Sequence, residues 1–146
     1  MWRELLAAFF LAGSCVVIHA VGMISQLRWI VRTFQQNVPL SVARGLLSVL
    51  RLMGVLFTLH ILEVAFWGEF YRLLHCFPDR ETAYYFSLTS YTTVGFGDVV
   101  ISHPWRLMGG LEAINGVLMF GWSTASLVAF VFRLRETRVK LSMVSF

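Results

Sequence analysis

The sequence predicts an all-α membrane protein, with three transmembrane helices and a half-length re-entrant helix plus extended loop between the second and third. Three observations carry this. Of 146 residues, 58% are hydrophobic and only 14% charged, against ~45–50% and ~25% in soluble domains. Three stretches reach the ~20 residues that cross a ~30 Å hydrocarbon core. A fourth stretch is apolar and aromatic but too short to cross.

The first span is predicted over 5–27, which is 23 residues without a charged side chain and with His19 inside it. A cleaved signal sequence is its rival, because Leu11-Ala12-Gly13-Ser14-Cys15 faintly resembles a lipoprotein cleavage site. Apolar character runs well past Cys15, Glu4 offsets Arg3, and the stretch exceeds the ~7–15 residue core of a signal sequence. The basic link that follows holds Arg28, Arg32, Arg44 and Arg51 and no acid. Within it, Asn37-Val38-Pro39 breaks any continuing helix and Ser41 is placed to cap a new one. Arg28 and Arg32 are too few and wrongly spaced for a voltage-sensing ladder. Arg44 and Arg51 are expected to snorkel to lipid head groups.

The second span is predicted over about 46–71, with Glu63 inside it and Trp67, Phe70 and Tyr71 as an aromatic, interfacial end. A polar loop containing Cys76 follows; this thiol lies outside the membrane, where a disulfide between subunits is one expectation. Cys15 reads as an inert packed thiol. The half-length helix is predicted over about 82–92, capped by Asp79 or Thr82, and the third span over about 107–132 with Glu112 its only charge. The tail, 133–146, is basic, and is too short for a ligand-binding domain.

Charge sets the orientation. The net charge of +4 could suggest nucleic acid, but the basic residues fall between and after apolar stretches rather than in one patch. The link and the tail hold eight Lys and Arg, so both are expected in the cytoplasm. Glu69 to Arg106 holds three Arg against four acids and belongs outside, which also places the N-terminus outside a cell (inner) membrane. No pattern of catalytic residues, cofactor ligands or small-molecule substrate groups appears.

Between the second and third spans lies Thr92-Thr93-Val94-Gly95-Phe96-Gly97-Asp98. Non-helical backbone at membrane depth survives only inside protein or along a watery path. A dehydrating ion needs oxygens, and successive backbone carbonyls supply them if alternate residues take angles that glycine adopts cheaply. Gly95 and Gly97 stand at i and i+2. The C-terminal dipole end of the half-helix then favours a cation.

This stretch resembles the selectivity-filter signature of potassium channels, in the variant with Phe for Tyr. His60-Ile61-Leu62-Glu63, Trp105-Arg106-Leu107 and Phe120-Gly121-Trp122-Ser123-Thr124-Ala125 are similar to small bacterial one-pore-loop channels of the ion-channel-2 type. The resemblance covers about 46–132. It implies a homotetramer in membrane lipid that passes K+ as permeant ion without a cofactor. It divides the chain into 1–36 (first helix and link), 37–132 (pore domain) and 133–146 (tail).

Carried over by position, Thr93, Val94, Gly95, Phe96 and Gly97 are the ion-binding filter, K+ meeting the carbonyls of Thr93 to Phe96, and Asp98 marks the outer mouth. Phe120, Thr124 and Val128 share one stripe and match the cavity lining; helix or lipid packing is the alternative. Gly116 is the candidate hinge, with close helix packing as the alternative. Relatives often carry Glu where Thr89 stands, leaving Asp98 without its usual partner, and Phe96 lacks the hydroxyl that braces a Tyr. Glu63 and Glu112 are buried carboxylates that the span pattern does not explain. They are candidates for filter support or pH sensing, through Tyr84, Tyr85, Ser87 or Ser90, with a static brace as the alternative. His60 could pair with Glu63 one turn away, and His19 reads as a packing residue. The alternatives to a K+-selective channel are a weakly selective cation channel and the pore subunit of a K+ transport system.

Overall fold

A computed structural model describes residues 2–34 and 42–144, with side chains over 2–32 and 43–136. Four helices follow in order: α1 (Trp2–Phe34), α2 (Val42–Leu73), α3 (Arg80–Tyr91) and α4 (Arg106–Val144), with no strand among the described residues. Three of them, α1, α2 and α4, are long and apolar enough to cross a membrane. The protein is an all-α, multi-pass membrane protein. The expected break at Asn37-Val38-Pro39 and cap at Ser41 fall outside the described residues.

The helices outrun the apolar windows that predicted them. Helix α1 continues through Arg28 and Arg32 to Phe34, since its flanks carry good helix formers and no proline. Helix α4 passes Phe132 without a break and takes in most of the basic tail. At 1.5 Å per residue, 39 residues reach ~58 Å, so α4 projects well beyond a ~30 Å core. Helix α3 starts at Arg80 because Asp79 caps it: Asp79 accepts from the Thr82 N–H at 2.8 Å and from the Thr82 hydroxyl at 2.8 Å. This bond holds the exposed Asp79 carboxyl below its ordinary range.

Helix α3 lies in a cradle formed by α2 and α4, and α1 packs on those two helices from outside. One core cluster joins Trp67 and Tyr71 of α2, Ala83, Phe86 and Tyr91 of α3, and Met108 and Met119 of α4 with Ala8, Leu11 and Cys15 of α1. Trp67 and Tyr71, expected at the lipid interface, are fully buried instead. They stand at i and i+4 on the face of α2 that meets α3, and core packing takes them. Cys15 is also fully buried, as expected of a packed thiol. A second cluster, Leu52, Leu56, Phe130 and Leu134, closes the other end of α2 and α4. Beside it the Arg51 guanidinium lies 4.1 Å from the centre of the Trp29 ring, tying α2 to α1. The opposite faces of the long helices, such as Phe9, Phe10 and Val17 on α1, are exposed, as lipid-facing surfaces are.

Candidate functional site

The loop after α3 is where the chain departs most from regular structure. Thr92 ends the helix with its N–H and its hydroxyl both turned to the Leu88 carbonyl. Thr93 then takes a left-handed φ of 61°, Gly95 49° and Gly97 81°. The alternation expected from the two glycines therefore extends one step further back, to a β-branched residue for which this region is strained. Two bonds impose it: the Thr93 N–H donates to the Ser90 carbonyl at 3.0 Å, and the Gly95 N–H to the Thr89 carbonyl at 3.1 Å. The half-helix folds the start of the loop back onto its own last turn.

The same geometry answers where the missing acid's work goes. The Thr89 hydroxyl bonds backward to the Tyr85 and Phe86 carbonyls, so it is the Thr89 backbone that reaches the loop. Asp98 accepts from the Tyr85 hydroxyl at 2.7 Å. Sequence reasoning left Asp98 without its usual partner and named no other. Tyr85 sits one turn before Thr89 on the same face, and that spacing was the available signal. Val94 and Phe96 are 53% and 71% exposed on the single chain.

Behind α3 lie both acids. Glu112 meets two hydroxyls, Ser87 at 2.5 Å and Tyr71 at 2.8 Å, while Ser87 also reaches the Val64 carbonyl at 2.8 Å. Ser87 has one hydrogen for two acceptors; a neutral Glu112 carboxyl, donating its own, fills all three contacts. Of the predicted partners only Ser87 meets either of these two acids, Glu112. Tyr84 turns to Glu69 at 3.0 Å, and Tyr85 to Asp98.

Glu63 belongs to a closed ring of five buried or nearly buried side chains drawn from all four helices. His19 Nδ1 (α1) meets Glu63 Oε1 at 2.9 Å, and His19 Nε2 meets the Ser123 hydroxyl (α4) at 3.1 Å. Ser123 meets His60 Nε2 (α2) at 3.0 Å, His60 Nδ1 meets the Tyr91 hydroxyl (α3) at 3.1 Å, and Tyr91 donates to Glu63 Oε2. His60 Nδ1 also lies 3.5 Å from Glu63, the pairing expected from sequence. His19 is a direct partner of Glu63 rather than a packing residue, across 44 positions that no periodicity connects.

Gly116 sits where α4 crosses the end of α3, and a Cβ there would stand 2.0 Å from the Tyr91 carbonyl oxygen. Helix α4 passes through this point unbroken. Phe120, Thr124 and Val128 are all exposed on the single chain, with Phe120 stacked against His60, ring centres 4.4 Å apart.

A membrane-spanning helical frame that holds a short helix, with a glycine-rich loop folded back from its end, defines an ion channel rather than an enzyme. The sequence model of the ion channel family matches residues 59–133, just over half of the chain, and the chain belongs to that family. Its 62-residue match to the calcium-gated potassium channel TvoK of Thermoplasma volcanium is 40% identical and covers 41% of this chain. The matched part is 18% of that relative's own length. No solved structure gives a significant match.

Proposed function

We propose that the chain is one quarter of a potassium-selective channel, a homotetramer in which four loops surround a central axis. K+ is the permeant ion, held by the carbonyls of Thr93, Val94, Gly95 and Phe96, with Gly97 and Asp98 at the outer mouth. The observation that carries the reading is the left-handed backbone at Thr93, Gly95 and Gly97, directly after a half-length helix. Alternate left-handed residues turn successive carbonyls to one side of the strand, where four copies replace the hydration shell of a cation. One chain offers one loop, so symmetry must supply the others. The exposure of Val94 and Phe96 fits this arrangement, since a neighbouring subunit would cover them.

The stripe Phe120, Thr124 and Val128 lines the inner cavity in this reading. The arginine-rich link and the end of α4 face the cytoplasm, and the acidic loop from Glu69 to Arg106 faces outward. The potassium channel relative supports K+ as the ion. Bilayer recording of the purified protein under opposed K+ and Na+ gradients tests the proposal. The expected reversal potential follows K+. One that follows Na+ equally would replace this reading with a weakly selective cation channel.

A further inference from the structure

The ring around Glu63 is one hydrogen short, and its donor atoms converge as the ligands of a cation do. The Ser123 oxygen stands between two imidazole Nε2 atoms, 3.1 Å from His19 and 3.0 Å from His60. An oxygen has two lone pairs, so it can accept both Nε2–H groups at once. Both Nδ1 lone pairs then point the same way, towards Glu63 and Tyr91. The result is three electron-rich ligands facing one another, with only the Tyr91 hydrogen among them. Five contacts need five hydrogens, but two neutral imidazoles, one serine and one tyrosine around an ionised carboxylate bring four. A fifth hydrogen, as a neutral Glu63 carboxyl would bring, or a cation in its place fills the gap.

We infer that His19, His60 and Glu63 form a binding site for a late first-row divalent cation, with Zn2+ chemistry the best match. Two imidazoles and one carboxylate, with a further position open, make a donor set that zinc favours and that magnesium and calcium do not. One ligating atom from each of the three lies within 4.8 Å of the other two. Ligands at about 2.0–2.2 Å from a tetrahedral zinc ion sit ~3.3–3.6 Å apart, so shifts of up to ~1.5 Å close the set. Ser123 holds the far nitrogen of both imidazoles, fixing tautomer and ring orientation as the outer partners of metal-bound histidines do. The Tyr91 hydroxyl, 3.1 Å from His60 Nδ1, is the nearest further oxygen.

Binding exchanges ions and changes no oxidation state: Zn2+ enters, and the ring hydrogen it replaces leaves as a proton to water. The path in is on the His60 side, where 13% of that side chain stays open beside Phe120. Once seated, the ion ties α1 and α2 together one bond from Tyr91, the last residue of the half-helix. The inference does not depend on which ion the pore selects.

The test uses the purified full chain in nanodiscs, with Co2+ and Zn2+ as probes. Co2+ is expected to give the visible absorption of a four-coordinate ion at one per chain, and Zn2+ to displace it and raise the unfolding midpoint. His19→Gln and His60→Gln should each weaken binding by more than the ~10–100-fold that loss of an outer partner costs. His75, Cys76 and His103 outside the membrane could also bind metal, so His75→Gln, Cys76→Ser and His103→Gln are combined as a second variant. That variant should keep the signal, and its loss there would assign the metal to the outer loop and overturn the inference. Should the histidine variants fail to fold, this second variant alone decides. No cobalt spectrum and no zinc-dependent midpoint would leave a proton as the ring's cation and also overturn it.

Discussion

Gly116→Ala separates two uses of a glycine, and the structure supplies the magnitude. The added Cβ would stand 2.0 Å from the Tyr91 carbonyl oxygen and 2.9 Å from its carbon. A carbon tolerates an oxygen at about 3.3 Å, so α4 or the end of α3 must give by about 1.3 Å. Forcing extra volume into a filled interior costs about 1–3 kcal/mol, and a backbone obstacle places this case near the top. Alanine recovers about 1 kcal/mol over glycine inside a helix, which leaves a net loss of about 1–2 kcal/mol. Gly110→Ala is the control, since nothing lies within 4 Å of the Cβ it would add, and it should match or exceed wild type in stability. Chemical denaturation in detergent, followed by tryptophan fluorescence, reads both. If Gly116→Ala unfolds like wild type while its channels open less often, the packing argument fails and Gly116 acts as a hinge.

Three further substitutions probe the half-helix and its loop. Ser87→Ala removes the shared hydroxyl of Glu112 and the Val64 carbonyl, and should destabilise the protein by about 1–3 kcal/mol in the same denaturation assay. Tyr85→Phe takes away the hydroxyl that holds Asp98, and single-channel recording should show shorter openings with conductance retained. The Asp79 carboxyl is held low by the Thr82 N–H, so its stabilisation is present above the ordinary value of 3.8 and is lost as pH falls through the lower folded value. Wild type and Asp79→Asn should therefore differ in unfolding midpoint near neutrality and converge in strong acid.

The three spans and the half-helix were legible because bilayer thickness converts directly into run length. The loop was legible because paired glycines advertise backbone angles, although only the structure extends the alternation to Thr93. The continuation of α4 through the basic tail was not read, because charge there suggests solvent. The signal lay in what is missing: no glycine or proline interrupts Arg133 to Val144. Trp67 and Tyr71 misled for a related reason. Aromatics at a span's end suit an interface, yet a half-helix packed at that depth makes the same level interior. Contacts such as His19 with Glu63, or Tyr85 with Asp98, join residues 44 and 13 positions apart and exist only once the helices have packed.

That packing changes what α1 is for. It makes no extensive contact with α3, and by contact alone it is a bystander to the loop. The ring makes it something else, because Glu63 divides its two oxygens between His19 of α1 and Tyr91 at the end of α3. Removing the His19 imidazole leaves one Glu63 oxygen without its bond and lets the carboxylate turn, which shifts what Tyr91 can reach. His19→Ala and Tyr91→Phe should then fail to add: neighbours in one polar network couple by about 0.5–3 kcal/mol, whereas independent sites add within about 0.5. A double-mutant cycle of unfolding energies measures this. Additive values would reduce α1 to a packing helix; coupling would make the first helix part of the mechanism that fixes the end of α3, and with it the start of the glycine-rich loop.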